Sequence, residues 1–265
     1  MSRRRMGQHF LTDIAIIRSI VEAAELEPGD QVFEIGPGRG ALTFPLVATG
    51  AQVTSLEFDE QLAAALEAHS PDDLRVVRGD ALTVDFSEFV GTTDRNRSVL
   101  VANLPYRITG ALLKKILEAG CWDRAVLMVQ REVGRRLAAK VGSKDYGILT
   151  IAANLRSDVA YLFSVPSGCF NPPPKVVSSV VSLRFRDDGL CVRDEKLFFR
   201  VVRSAFQQRR KMLRNSLADT LNGCVEEVFE AAGLDPSGRP ESVSVDGFDR
   251  ICRAYTDLTE RSHGE

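Results

Sequence analysis

Two short segments of the chain carry residue types suited to chemistry. The first, Gly36-Pro37-Gly38-Arg39-Gly40, follows an apolar run and precedes helical spacing. Such a turn lets the backbone approach a ligand closely, and the helix beyond it offers free N–H groups. The second, Asn103-Leu104-Pro105-Tyr106, ends a later apolar run. Its amide can hydrogen-bond a planar exocyclic amine, and its ring can stack on a base. Together the segments predict a methyl donor in one site and an adenine amine in the other.

The glycine-rich turn alone leaves its ligand open. Gly36, Gly38 and Ala41 also match the dinucleotide fingerprint G-x-G-x-x-A. Glu57, at the end of the next predicted strand, suits the ribose diol of either S-adenosylmethionine or NAD, and a purely structural turn is the third interpretation. Asp80 follows the third strand, where its carboxylate can accept the amine of a bound adenine. In isolation it would be a turn-forming residue, but in this order it favours a methyltransferase.

Methyl transfer to the N6 amine of adenine is difficult because the nitrogen lone pair is delocalised into the ring. The Asn103 side-chain oxygen and a backbone carbonyl before the proline, that of Leu104, can hold the amine in a more tetrahedral form, so that positioning and electrostatics replace a strong base. Pro105 stiffens the turn. Tyr106 offers a stacking face worth about 1–3 kcal/mol.

Phe170 is a second aromatic candidate, in the Pro-rich segment 169–175. A rigid loop can present this ring opposite Tyr106 and clamp a splayed-out base between the two. The alternative is that Phe170 is a core plug beneath the loop. We favour the clamp.

Apolar and β-branched runs alternate with helical spacing in the first half of the chain, which predicts a parallel sheet covered by helices on both faces. After Val129 two strands follow one another without a helix between them, which indicates an antiparallel hairpin at the sheet edge. From Glu195 onward the spacing is helical, so we place a domain boundary near 186–190. The predicted strands are 31–35, 51–56, 74–77, 98–102, 125–129, 159–165 and 178–185. The predicted helices are 12–25, 42–49, 60–69, 111–119, 132–139 and 146–155.

Composition narrows the class of protein. Hydrophobic content of 44% and charged content of 26% are typical of a globular protein. The net charge of -2 gives no indication of a nucleic-acid partner. A local basic cluster does suggest one, although a solvated helix face is the alternative. Its members are Arg209, Arg210, Lys211 and Arg214. Scattered cysteines and only 3 histidines predict no metal site. With no apolar stretch long enough to span a bilayer and no secretory signal, we expect a cytoplasmic protein that does not bind membranes.

Motifs spread over nearly the whole chain resemble those of the small-subunit ribosomal RNA adenine dimethyltransferases. Those of the methyltransferase part are 7–11, 34–43, 57–59, 79–81, 103–106, 129–133, 142–147 and 170–176. The most specific match is 205–215, which is typical of housekeeping dimethyltransferases rather than of their antibiotic-resistance relatives. The sequence departs from the family pattern at Val177, where members commonly have an acidic residue.

The resemblance implies an α/β fold: a class I Rossmann-like methyltransferase domain with a mostly parallel, seven-stranded sheet over residues 1–186, and a small all-helical RNA-binding domain over 187–265. It implies an S-adenosylmethionine-dependent enzyme, acting as a monomer, that dimethylates two adjacent adenosines in the 3′-terminal hairpin loop of small-subunit (16S) rRNA in a pre-30S particle. The alternatives are a large-subunit rRNA methyltransferase of the resistance type, a non-catalytic nucleic-acid-binding relative and, more distantly, an NAD-dependent oxidoreductase.

Site residues follow from the same resemblance by position. Asn103 and the Leu104 carbonyl would hold the target amine, with Tyr106 and Phe170 flanking the base. In members of the family the N-terminal segment folds over the cofactor, a feature that the local sequence does not reveal. The implied cofactor-binding residues are His9, Leu11, Gly36, Gly38, Glu57, Asp80 and Asn103.

Overall fold

The computed structural model describes residues 8–90, 97–186 and 192–262. The strands are β1 (Phe10–Leu11), β2 (Gln31–Ile35), β3 (Gln52–Glu57), β4 (Leu74–Arg78), β5 (Ser98–Asn103), β6 (Arg124–Gln130), β7 (Ser157–Val165), β8 (Phe170–Asn171) and β9 (Ser178–Phe185). The helices are α1 (Ile14–Ala24), α2 (Thr43–Val47), α3 (Glu60–Glu67), α4 (Thr109–Glu118), α5 (Arg131–Leu137), α6 (Ile148–Arg156), α7 (Glu195–Gln207), α8 (Leu213–Ser216), α9 (Val225–Ala232) and α10 (Val245–Ser262).

A seven-stranded sheet in the order β4-β3-β2-β5-β6-β9-β7 forms the centre of the first part of the chain. The pairings from β4 to β6 are parallel, and β9 runs antiparallel to β6. Strands β2 and β5 are buried along almost their whole length, as expected for a parallel sheet covered on both faces. The predicted class I methyltransferase sheet, with its antiparallel edge, is confirmed. Because β2 lies between β3 and β5, the strand order reverses there, and such a switch point opens a crevice at the carboxyl ends of the strands.

Local signals place most element ends within a few residues of their prediction. Asp13 caps α1, since its carboxylate accepts hydrogen bonds from the N–H groups of Ala15 and Ile16 at 2.9 and 3.0 Å. The same device recurs at α3, where Asp59 accepts from Gln61 and Leu62.

A second, two-stranded sheet was not predicted from the sequence. In it β1 pairs antiparallel with β8, so that Phe10 lies opposite Asn171 and Leu11 lies opposite Phe170. The Thr12 N–H extends this contact by donating to the Cys169 carbonyl at 2.9 Å. The pairing fastens the N-terminal segment to the Pro-rich connection between β7 and β9.

The chain divides into two compact units, residues 1–135 with 158–186 and residues 136–157 with 187–265. The expected boundary at 186/187 separates these units. However, residues 136–157, which the sequence assigned to the first domain, belong to the C-terminal unit. The reason is hydrophobic packing, since Tyr146, Ile151 and Leu155 share one buried core with the apolar faces of α7, α9 and α10. Among the described residues, no helix is long and apolar enough to cross a membrane.

Candidate functional site

The glycine-rich turn lies directly after β2 and contacts the end of β3. Gly38 has a backbone φ of +58°, a conformation that residues other than glycine rarely adopt. Its N–H donates to Glu57 Oε2 at 3.0 Å, and the Asp59 N–H donates to Glu57 Oε1 at 2.9 Å. The predicted neighbourhood of the turn and Glu57 is therefore present. The Glu57 carboxylate already accepts the Gly38 N–H, which in an anion-binding turn would point towards a phosphate.

The N-terminal segment covers this turn. A Cβ atom on Gly38 would lie 3.2 Å from the Phe10 ring, so that this ring packs directly against the backbone of the turn. The Arg39 guanidinium lies 4.4 Å from the centre of the same ring, within cation–π distance. Next to Phe10, His9 Nδ1 donates to the Pro172 carbonyl at 2.7 Å. These contacts hold His9 and Leu11 beside the cavity.

The Asn103-Leu104-Pro105-Tyr106 turn is fixed at both ends. The Leu104 N–H donates to the Met128 carbonyl at 3.0 Å, and Thr109 Oγ1 donates to the Pro105 carbonyl at 2.9 Å. The Tyr106 hydroxyl and the buried Ser178 hydroxyl share a hydrogen bond of 2.5 Å. Burial raises the pKa of Tyr106 above its usual value of 10.0, against a smaller lowering effect of Ser178. The hydroxyl group of Tyr106 is thus anchored to Ser178, and Tyr106 lines the cavity.

One cavity brings the two segments together. It is lined by the N-terminal segment, the glycine-rich turn, the end of β3 and the turn after β5. The residues predicted for the site that line it are His9, Leu11, Gly36, Gly38, Glu57, Asn103, Leu104, Pro105 and Tyr106.

Two predicted residues lie outside this lining. The Asp80 carboxylate accepts the N–H of Leu82 at 2.9 Å, which is the turn-forming role that the sequence left as the alternative. Phe170 is 4% exposed and belongs to the core of the first unit, because its place opposite Leu11 in β8 directs its ring inwards. In this conformation Phe170 offers no open face beside the cavity, and its clamp with Tyr106 stays a prediction. Instead, the ring stacked near Tyr106 is that of His9, with centroids 6.2 Å apart and planes inclined by 29°.

Exposed apolar side chains mark a part of the surface that the sequence did not single out. Phe58 and Leu82 are 69% and 37% exposed, and they follow the carboxyl ends of neighbouring strands β3 and β4. The Gly79 N–H donates to the Glu57 carbonyl at 3.0 Å, so the two strand ends are bonded to each other. The signal that the sequence offered was their position, since Phe58 directly follows Glu57 and Leu82 lies two residues after Asp80.

Glu34, the acidic residue of β2, is a buried carboxyl group in the cavity lining. It is 2% exposed, and Thr43 Oγ1 and Ser55 Oγ each donate to its Oε2 at 2.7 Å. Burial raises the pKa of Glu34 from 4.5 to about 7, against the lowering effect of the two hydroxyls, and the charge of Glu57 adds to the increase. The group is therefore more readily protonated than a carboxyl group at the surface would be.

In the basic cluster of the C-terminal unit, Arg209 has hydrogen-bond and ion-pair partners, and Arg214 lies close enough to Asp235 for their charges to interact. Arg209 Nη2 donates to the Ser143 carbonyl at 3.2 Å, and its Nε lies 3.6 Å from Glu241 Oε2, an ion-pair distance rather than a hydrogen bond. The other three members of the cluster, Arg210, Lys211 and Arg214, are exposed.

Comparisons with known proteins agree on one family. The family model described as ribosomal RNA adenine dimethylase matches residues 1–257. A protein of Syntrophotalea carbinolica named ribosomal RNA small subunit methyltransferase A is 42% identical over 255 residues, which is 95% of this chain and 96% of the relative. A dimethyladenosine transferase structure from Plasmodium falciparum gives a TM-score of 0.82 at 26% identity, covering 95% of this chain and 98% of its own. The structure of the 23S rRNA methyltransferase ErmE gives 0.70 at 29% identity, covering 93% and 99%.

Glu34→Gln should change how stability depends on pH. Between pH 4.5 and about 7 the unfolded chain loses the Glu34 proton while the folded chain keeps it, so the wild type loses stability as pH rises through this window. The glutamine side chain of the variant does not titrate. The free energy of unfolding of the variant relative to the wild type should therefore rise by about 3 kcal/mol from pH 4 to pH 8. Urea unfolding at several pH values measures this difference, and parallel curves for the two proteins would contradict it.

Proposed function

The chain belongs to the ribosomal RNA adenine dimethylase family, and on this premise we propose that it transfers methyl groups from S-adenosylmethionine to the N6 atoms of two adjacent adenosines in the 3′-terminal hairpin loop of small-subunit rRNA. One observation carries the proposal: a single cavity is lined both by the glycine-rich turn with Glu57 and by Asn103 to Tyr106. A donor site and an acceptor site in one cavity are what direct methyl transfer requires.

The residues of the turn fit S-adenosylmethionine better than NAD. A dinucleotide would place its pyrophosphate at the turn, where the Gly38 N–H is already bonded to Glu57 and where the Glu34 and Glu57 carboxyl groups line the same cavity. Anionic phosphates next to the Glu57 carboxylate would be repelled, whereas a ligand with a cationic sulfonium and amine would be attracted. When bound, S-adenosylmethionine supplies an electrophilic methyl group.

The adenine of the cofactor would lie at the ends of β3 and β4. Glu57 would accept hydrogen bonds from the ribose diol, and the exposed side chains of Phe58 and Leu82 would be covered by the planar ring. Asp80 would accept the adenine amine. This placement gives the two exposed apolar residues a ligand and accounts for Asp80 lying outside the lining of the deeper cavity.

Asn103 and Leu104 would orient the target base. The Asn103 side-chain oxygen and the Leu104 carbonyl would each accept one hydrogen of the N6 amine and so favour a nitrogen whose lone pair points out of the ring plane. The Tyr106 ring, anchored through Ser178, would stack on the base. Held in this way, the N6 nitrogen would accept the methyl group that the donor gives up and would lose a proton to water before a second round.

The exposed cations of the C-terminal unit would bind the RNA backbone. Arg210, Lys211 and Arg214 are available for this role, whereas Arg209 is bonded within the unit. The substrate would be a pre-30S particle, bound by a cytoplasmic enzyme that acts as a monomer. The likeness to ErmE makes the large-subunit rRNA the second candidate substrate. The sequence identities to these two structures are 26% and 29% and do not separate the candidates, but the TM-score is higher for the dimethyladenosine transferase, 0.82 against 0.70. That score and the names of the bacterial relatives favour the small subunit.

Asn103→Ala should lower methyl transfer by at least about a hundredfold, because an acceptor aimed at the reacting amine is lost. The assay incubates enzyme and labelled S-adenosylmethionine with undermethylated small subunits or with bare large-subunit rRNA, and mass mapping identifies the modified base. Asn154→Ala is the matched control, since its amide bonds to the Thr150 carbonyl within α6. Near-wild-type turnover by Asn103→Ala would contradict the catalytic role, and label confined to large-subunit rRNA would contradict the substrate.

Replacing Arg210, Lys211 and Arg214 together with alanine should weaken RNA binding and lower the slope of log K against log salt concentration by about two to three units, since up to three phosphate contacts are lost. The matched control replaces Lys196, Arg200 and Arg203, three exposed cations of α7. If the slope of log K against log salt concentration were equal for the two triple variants, the cluster would contribute no more to RNA binding than the cations of α7. Filter binding over a salt series provides the measurement.

A further inference from the structure

Lys115 of α4 makes contacts that the chemistry described so far does not use. Its Nζ donates to the Ala81 carbonyl at 2.9 Å and also to the Val84 carbonyl. The same ammonium lies 4.6 Å from the centre of the buried Phe86 ring. The preceding residue, Lys114, behaves as an ordinary surface lysine, with a side chain that is 75% exposed and 3.9 Å from Glu118. Lys115 is therefore tied to the segment that follows β4.

That segment is a tight turn with Asp80 at its start. The N–H groups of Thr83 and Val84 both donate to the Asp80 carbonyl, at 2.9 and 3.1 Å, and the Leu82 N–H donates to the Asp80 carboxylate. A helical turn of this kind leaves its last carbonyl groups without partners inside the turn, and a cation at this end stabilises them. Lys115 supplies that cation and bonds the turn at two places, the Ala81 carbonyl next to Asp80 and the Val84 carbonyl at the end of the turn.

We infer that Lys115 is a positioning residue for the adenine end of the cofactor site, holding the turn that presents Asp80 and Leu82. This inference rests on the proposed function, in which those two residues contact the adenine of S-adenosylmethionine. Lys115 itself is not part of the cavity lining and touches backbone carbonyls and the Phe86 ring. Its loss leaves the Ala81 and Val84 carbonyls without the ammonium, so the turn can change shape while the methyl-transfer residues after β5 stay in place.

The test compares Lys115→Met with Lys114→Met. Calorimetry measures the Kd of S-adenosylhomocysteine and of S-inosylhomocysteine, in which an oxo group replaces the adenine amine. Lys115→Met should weaken S-adenosylhomocysteine binding about tenfold, or 1.4 kcal/mol, and should weaken the inosine analogue less, since that analogue lacks the amine that Asp80 would accept. In the methyl-transfer assay KM for S-adenosylmethionine should rise while kcat at saturation stays within about twofold. Lys114→Met should match the wild type in all of these measurements.

Lys115→Arg separates positioning from a general loss of folding, because it keeps a cation of similar reach. It should recover most of the affinity that Lys115→Met loses. Unchanged affinity in Lys115→Met, an equal loss for both ligands, or a fall in kcat without a rise in KM would each overturn the inference. A wild-type protein that binds no S-adenosylhomocysteine would overturn the proposed cofactor and this inference together, and that result is visible before any variant is made.

Discussion

The register of three parallel strands is the constraint on which the site depends. β2 pairs with β3 and with β5 so that Ile35 lies level with Leu56 on one side and Ala102 on the other. A shift of one residue in either pairing would turn every side chain of that strand to the opposite face of the sheet. Because β2 and β5 are apolar and buried, such a shift would be costly. The residues that follow the three level positions are Gly36, Glu57 and Asn103.

This part of the molecule could be predicted from the sequence because its information is local. Buried parallel strands appear in the sequence as short apolar runs, glycines mark the turn, and Asn103 to Tyr106 directly follow one of these runs. Parallel strands then bring those ends to one edge whatever lies between them. The glycine-rich turn alone left its ligand undecided between S-adenosylmethionine and NAD, and the position of Asp80 together with the family resemblance favoured the first. The direction of the Gly38 N–H towards Glu57, which bears on that choice, is a geometric fact that no residue pattern records.

Non-local contacts account for what the sequence did not give. The pairing of Leu11 with Phe170 joins residues that are far apart in the sequence, and strands of two residues are too short to show a periodicity from which they could be predicted. The same pairing places Phe170 in the core and outside the cavity lining, whereas the ring of His9 lies near that of Tyr106. Residues 136–157 were likewise assigned by order along the chain, whereas their unit is decided by which core their apolar faces enter.

The cavity has a floor, formed by the glycine-rich turn, Glu57 and the turn after β5, and a cover, formed by the N-terminal segment with β1. The floor was predicted from the sequence and the pairing that holds the cover was not, and the two parts are also held differently. The floor consists of strand ends and turns that share the hydrogen bonds and the buried core of the central sheet, so moving it would disrupt the first unit. The cover is held by two residue pairs of β1 and β8, the bonds from Thr12 to Cys169 and from His9 to Pro172, the packing of Phe10 on Gly38 and the burial of Leu11 in the core. At about 1 kcal/mol for each hydrogen bond and about 1.5–3 kcal/mol for a buried leucine, detaching the cover costs several kcal/mol, but it leaves the hydrogen bonds of the central sheet intact. A site that must enclose a small cofactor and also admit a nucleobase is well served by a fixed floor under a cover that is fastened separately from it.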